Sequence, residues 1–271
     1  MNKTKIDWAD SSWNPVTGCY HDCEYCYAKG IARRFEGFEP RMGGEEIPDG
    51  KGTYPKSIYN STHGEKTHIF NRQPMRRTKS WNWQKASYPY GFEPTFHKHK
   101  LNEYANKKGR TIFVCSMADL FGEFIPDEWI KEVFKACAEA PQHRYLFLTK
   151  NPKRYKQFDR YMPPNMWFGW SQTKPGEVSN FDTHHSWQIF ASFEPLLEPL
   201  PIFYPNGIGW VIIGAETGKR KDKVIPKREW VENIARECRD AGIPVFMKES
   251  LHELMSGDFT QEFPWKVGDV K

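Results

Sequence analysis

An α/β fold, a full or partial (β/α) barrel of TIM type with six to eight units, is the architecture this sequence predicts. Three observations carry it. From Thr95 onward, short runs rich in β-branched and aromatic residues alternate with stretches of helical period, the pattern of parallel β/α units. Polar residues recur directly after each run, where a β/α barrel keeps its chemistry. The chain has 271 residues, enough for one large domain with a sizeable core. Residues 1–271 therefore read as a single barrel domain, with an irregular insertion over 36–93 and a short C-terminal tail over 250–271.

The elements follow in order. Ile6 to Val16 reads as a first strand with its exit loop, and Tyr27 to Phe35 as a short helix. Residues 36–93 lack regular pattern and are rich in Gly, Pro, Lys, Arg, Trp and Tyr; a loop that long in a compact domain usually serves function. Thr95–His99 is a short strand and Thr111–Ser116 a clear one. Pro126–Ala140 is a helix, its apolar positions Trp129, Ile130, Val133, Phe134, Cys137 and Ala138 recurring at helical period behind a first-turn proline. Arg144–Thr149 is a strand, Pro152–Arg160 a helix, and Met166–Thr173, Gln188–Phe193 and Gly209–Gly214 are strands. Pro226–Ala241 is a helix with Trp230, Val231, Ile234, Ala235 and Cys238 inward, closed by Gly242, and Ile243–Lys248 is the last strand. At the predicted rim the strands deliver Ser116 and Asp119, Thr149 and Lys150, Ser171 and Gln172, Ser192 and Glu194, Glu216 and Thr217, then Lys248 and Glu249.

Composition excludes several classes. No apolar run approaches the length of a membrane span, and MNKTKIDWAD lacks the apolar segment of a signal peptide. A cytoplasmic protein with reduced cysteines is expected, in which clustered cysteines read as metal ligands rather than disulfides. The net charge of +5 is uneven: residues 66–110 hold eleven Lys/Arg against Glu93 and Glu103. A local basic excess is the footprint of a polyanion binder.

Three of the six cysteines, Cys19, Cys23 and Cys26, fall in W-N-P-V-T-G-C-Y-H-D-C-E-Y-C-Y-A, spaced C-x3-C-x2-C. Three thiolates this close can hold three corners of a [4Fe-4S] cluster and leave the fourth iron open, as a catalytic site requires. Two blander readings stand beside it. One is a zinc knuckle completed by a histidine such as His21, which is awkwardly placed between the first two cysteines. The other is a set of buried structural thiols. Cys137 reads as core. His97 and His99 share a strand face but have no third ligand in register, and His184-His185 is a loop pair.

The C-x3-C-x2-C spacing resembles the signature of the radical S-adenosylmethionine (SAM) superfamily. The stretches I-D-W-A-D-S-S-W-N-P-V-T-G-C (6–19), F-V-C-S-M-A-D-L-F (113–121), F-A-S-F-E-P-L-L (190–197) and W-V-I-I-G-A-E-T-G (210–218), with V-F-M-K (245–248), resemble a phage-encoded radical-SAM-like family. A wider likeness is to spore photoproduct lyase and its relatives. The resemblance implies a [4Fe-4S] cluster on Cys19, Cys23 and Cys26, SAM on its open iron, an external electron donor, and host cytoplasm as the location. It places Tyr25 near the adenine. It also implies Asp119 and Ser116 at the methionyl amino group, Lys150 beside Thr149 at the carboxylate, and Ser171 at the ribose or methionyl end. Glu194 and Glu216 join this cofactor-binding set from the rim. Gly43-Gly44-Glu45 is a rival for the SAM amino group, but no strand precedes it.

Three functions follow as expectations. The first is a radical SAM enzyme acting on DNA, RNA or a nucleotide base, with Arg76, Arg77, Lys79, Trp81 and Trp83 of the insertion as substrate contacts; basic residues neutralise phosphates and aromatic rings stack on unpaired bases. The second is the same chemistry on a small molecule or peptide. The third is a non-catalytic, zinc-containing nucleic-acid-binding module.

Overall fold

The computed structural model describes residues 4, 6–38, 56–60, 65–161, 164–177, 187–200, 207–218 and 220–266. The chain forms β1 (Ser11–Trp13), β2 (Val16–Thr17), α1 (Tyr27–Arg34), β3 (Lys56–Asn60), β4 (Glu65–Phe70), β5 (Met75–Arg77), β6 (Trp83–Lys85), β7 (Thr95–His97), β8 (Thr111–Val114), α2 (Asp127–Ala138), β9 (Arg144–Thr149), β10 (Met166–Ser171), β11 (Gln188–Phe193), β12 (Trp210–Ile213), α3 (Arg228–Asp240) and β13 (Val245–Met247). Two compact units result: Met1–Ser12, Lys108–Phe113 and Pro141–Lys271 in the first, Trp13–Lys107 and Val114–Ala140 in the second. Among the described residues no helix is long and apolar enough to cross a membrane.

The main sheet has seven strands in the order β1-β8-β9-β10-β11-β12-β13. Every pairing from β9 to β13 is parallel. Side chains alternate across a strand. One face carries Trp8, Phe113, Leu146, Trp167, Phe190, Trp210, Ile212 and Phe246 as one buried cluster, with Phe263 and Trp265 of the tail packed on it. The opposite face buries Phe147, Phe168, Ile189, Val211 and Val245. α3 packs against β13 and turns Val231, Ile234, Ala235 and Cys238 inward, whereas Trp230, expected on the same side, is only half-buried in the first turn.

The TIM-type barrel expected from the alternation is not formed. The sheet is open, with β1 and β13 as its edges. Among the described residues no strand of the sheet neighbours β13 on its outer side, and the tail takes that edge: Met247 N–H donates to Thr260 O at 2.8 Å and Glu262 N–H to Val245 O at 2.9 Å. A covered edge no longer offers a ladder for closure. Helices are also fewer than the expected units need. α2 links β8 to β9, a 3-10 run Pro152–Tyr161 replaces the expected helix between β9 and β10, and α3 links β12 to β13. The described parts of the connections after β10 and β11 hold no helix. Their sequences carry Pro175-Gly176 and Pro195, Pro199, Pro201 and Pro205, and proline removes donors and fixes φ against helix growth.

The second unit corrects two further expectations. The strand expected over 6–16 breaks at Asn14-Pro15, so β1 and β2 enter different sheets. The insertion expected to be irregular contains β3, β4, β5 and β6. β2-β7-β4-β3 form a four-stranded sheet, in which β4 pairs parallel with β7 through His68↔Thr95, and β5-β6 form a separate hairpin. α2 forms as expected, with Trp129, Ile130, Val133, Phe134 and Cys137 buried and Asp127 and Glu128 placed where the helix dipole favours acid.

Trp210 is fully buried, and its indole N–H donates to Glu262 O at 2.9 Å. Trp210→Ala is expected to cost about 3–5 kcal/mol of unfolding free energy, the range for a large aromatic truncated in a core. Urea denaturation at unchanged m-value measures it.

Candidate functional site

The cysteine loop belongs to the second unit. It begins at Gly18, whose φ is +91°. A Cβ there would lie 2.2 Å from Glu93 O, so only glycine fits. Backbone bonds clamp this point: Gly18 N–H to Met117 O at 2.9 Å and Cys19 N–H to Phe92 O at 3.0 Å. The loop then turns through Cys26 N–H to Cys23 O at 3.1 Å, and Cys26 stands at the N-cap position of α1. Asp22, at positive φ, pairs with Lys29 in α1.

Exposure divides the six cysteines into two groups. Cys19, Cys23 and Cys26 are half-buried, whereas Cys115, Cys137 and Cys238 are buried. Burial, then the Asp119 charge, pushes the Cys19 thiol up to about 12, and the neighbouring Cys23 and Cys26 push in the same direction. Burial likewise raises Cys26. A bound metal supplies the positive charge that favours such thiols as thiolates when it displaces their protons. The donor chemistry thus suits a thiophilic cluster. Among the described residues no three His, Cys, Asp or Glu side chains are already grouped to hold a metal ion, so the ligand set is not preformed.

Asp119 is buried beside the loop. Its Oδ2 lies 2.8 Å from His21 Nε2, and its Oδ1 accepts from Phe121 N–H at 3.0 Å. Ser116 Oγ donates to Asn14 Oδ1 at 3.2 Å, and its carbonyl accepts from the Tyr27 hydroxyl at 2.9 Å. Tyr25 is half-buried between Cys23 and Cys26. The second unit therefore brings Ser116, Asp119 and the three cysteines into one neighbourhood, and adds His21 and Asn14 as their partners. Gly43-Gly44-Glu45 and His184-His185 lie outside the described residues.

In the first unit, alternation puts Lys150, Ser171, Glu194 and Lys248 above the aromatic face. Glu194 and Lys248 form an ion pair, and Ser171 Oγ donates to Glu194 O at 3.3 Å. The pair crosses β12 at Gly214, where a Cβ would stand 2.9 Å from Lys248 Cδ and 3.1 Å from Glu194 Cγ. Ser192 Oγ is buried without a hydrogen-bond partner on the same face of β11. Thr149 points the other way and accepts from Asn151 N–H at 2.9 Å. Glu216 is turned to Arg220, with both carboxylate oxygens at 2.7 Å from the guanidinium, and this bond holds its carboxyl below the usual range. Glu177 closes the loop after β10: burial raises its carboxyl, but the Thr173 N–H and hydroxyl and the charge of Lys150 outweigh that and lower it. No periodic signal points to Arg220 or Glu177, since each acts as a loop partner. In the sequence Lys248 is only one of many polar residues that follow strands.

The hairpin places Arg77 opposite Trp83 and Arg76 opposite Gln84. Arg77 lies 4.5 Å from the Trp83 ring centroid and 5.1 Å from that of Trp81. Trp81 is 74 % exposed and Trp83 38 %, and Lys79 is exposed in the turn between Arg77 and Trp81.

Over residues 3–256 the chain matches the model of a family described as a protein of unknown function (DUF5131). The chain belongs to that family. Every candidate residue above lies inside the matched stretch. The chain is also similar to a cobyric acid synthase from Prochlorococcus marinus (strain AS9601), 22 % identical over 158 residues, which is 56 % of this chain and 30 % of that protein. It thus spans less than a third of that relative's length. No solved structure matches.

Two outcomes test the rim of this family member. Gly214→Ala is expected to cost about 1–3 kcal/mol by overpacking the Glu194–Lys248 crossing, measured by urea denaturation. The Glu216 carboxyl is depressed in the folded state, so its contribution to stability is full above the unfolded value, about 4.3. That contribution is lost as pH falls through the folded value. Glu216→Gln is expected to flatten the fall of stability over that acid window.

Proposed function

We propose that this protein is a radical SAM enzyme that holds a [4Fe-4S] cluster on Cys19, Cys23 and Cys26 and acts on a nucleic acid or nucleotide base. The observation that carries the reading is the division of the six cysteines: the C-x3-C-x2-C thiols sit half-buried on a clamped loop while the other three are buried. A cluster bound there would supply the electron that cleaves SAM and so generates a 5′-deoxyadenosyl radical able to abstract hydrogen from an unactivated carbon.

The chain's own residues would serve this chemistry as follows. Gly18 and the bonds to Met117 O and Phe92 O fix where the first thiol emerges. Asp119 offers a buried carboxylate to an amine, and Ser116 a hydroxyl beside it. Lys150 and Ser171 carry the charge and the hydroxyl that a methionyl carboxylate and a ribose call for. The nucleic-acid part rests on the basic excess over residues 66–110.

Anaerobic reconstitution followed by iron, sulfide and 5′-deoxyadenosine assays tests the proposal. Cys19→Ala, Cys23→Ala and Cys26→Ala are each expected to abolish iron binding and SAM cleavage, whereas Cys137→Ala and Cys238→Ala retain both. Deoxyadenosine formation by Cys23→Ala would refute the cluster assignment. Stoichiometric zinc without sulfide would instead favour the zinc module.

A further inference from the structure

The hairpin has two unlike faces, and only one is available to a ligand. Arg76 and Gln84 share one side. From there the Arg76 guanidinium lies 5.6 Å from the Phe35 ring and its Nη1 donates to Glu36 O at 3.5 Å. Arg76 therefore fastens the hairpin to the end of α1. The other side carries Arg77, Trp83 and Lys85, with Trp81 from the turn, all exposed.

Three properties of that exposed side point to one class of ligand. First, its composition is cationic: residues 71–90 contain Arg72, Arg76, Arg77, Lys79 and Lys85 and no Asp or Glu. Second, two indoles face water, and a 74 % exposed Trp forgoes the burial that its apolar area would gain in a core. Third, the rings are held ready. The Arg77 guanidinium lies over both, and Trp81 sits at φ +61°, a left-handed conformation that costs a non-glycine residue free energy. Thr78 fixes that turn: its carbonyl accepts from Trp81 N–H at 2.9 Å and its N–H donates to Asn82 O at 2.9 Å. Pre-ordered aromatic planes flanked by cations suit a ligand that presents flat π-faces along a string of negative charges. A duplex hides its base faces in the stack, whereas a single strand offers them.

We propose that the solvent face of the β5–β6 hairpin is a single-strand nucleic-acid site, in which an unpaired base stacks on Trp81 or Trp83 while phosphates lie against Arg72, Arg77, Lys79 and Lys85. This rests on the nucleic-acid part of the function proposed above and not on the cluster. Arg76 is a positioning residue in it.

The test is fluorescence anisotropy of a fluorescein-labelled oligodeoxythymidylate titrated with the whole chain, without SAM. The same probe annealed to oligodeoxyadenylate and vesicles rich in phosphatidylglycerol are the competitors. The single strand is expected to bind more tightly than the duplex, with affinity falling as salt rises. Trp81→Ala and Trp83→Ala are each expected to weaken it by about five-fold or more, with Trp81→Phe restoring most of the affinity. Lys79→Gln or Lys85→Gln should shallow the salt slope by about 0.7 for each phosphate no longer neutralised. Equal affinity for duplex and single strand, unchanged binding in both Trp→Ala variants, preferred capture by vesicles, or no binding at low salt would each overturn the site. SAM cleavage by a chain that binds no oligonucleotide removes this inference and the nucleic-acid part of the proposed function, and leaves the radical SAM reading standing. Oligonucleotide binding by a chain that assembles no cluster removes the radical SAM reading alone.

Discussion

The aromatic face of the seven-stranded sheet is the constraint on which the first unit depends. Parallel strands put alternate side chains on one side, and here those positions hold Phe113, Trp167, Phe190, Trp210 and Phe246, with Trp8 from the turn before β1 packed among them. Ile6, Ala9, Leu148, Phe263 and Trp265 pack against these rings. Each of the buried rings contributes about 1.5–3 kcal/mol of burial on ordinary area arithmetic. The same alternation, carried a residue or two further, decides which polar groups stand on top: Ser171, Glu194 and Lys248 emerge over the rings while Thr149 turns away.

Glycine settles two close approaches that polar chemistry then uses. At Gly18 the chain runs so near Glu93 O that any side chain is excluded, which is why the cysteine loop leaves β2 at a defined angle. At Gly214 the missing Cβ lets Glu194 and Lys248 meet across β12. Neither approach stabilises much by itself, because a partly exposed ion pair is worth little. Their effect is geometric: they fix side chains relative to a rigid backbone, which sites of binding or chemistry require.

Elsewhere charge does the positioning. Arg220 holds Glu216, Arg76 ties the hairpin to Phe35 and Glu36 O, and His21 meets Asp119. In each case a residue that reads as a ligand contact when taken alone has a protein partner in the fold. Its remaining capacity for ligand is set by that partner.

The sequence alone determined what is local. The periods of α2 and α3 are readable because burial of Trp129, Ile130, Val133 and Phe134, or of Val231, Ile234 and Cys238, follows from spacing within one helix. Strands β8 to β13 are readable for the same reason, as is the contrast between clustered and scattered cysteines. Only the tertiary structure decided closure and partnership. Whether β13 meets an eighth strand or the tail at 260–262 depends on competition for one row of hydrogen bonds, and no periodicity encodes its outcome. The β4–β7 pairing joins segments separated by charged and irregular sequence, so the strands of the insertion carry no strong local signal. Which side of the hairpin faces α1 is likewise a matter of register. A shift of one residue would put Arg76 in place of Arg77 at the solvent face, since side chains in a strand repeat every two residues.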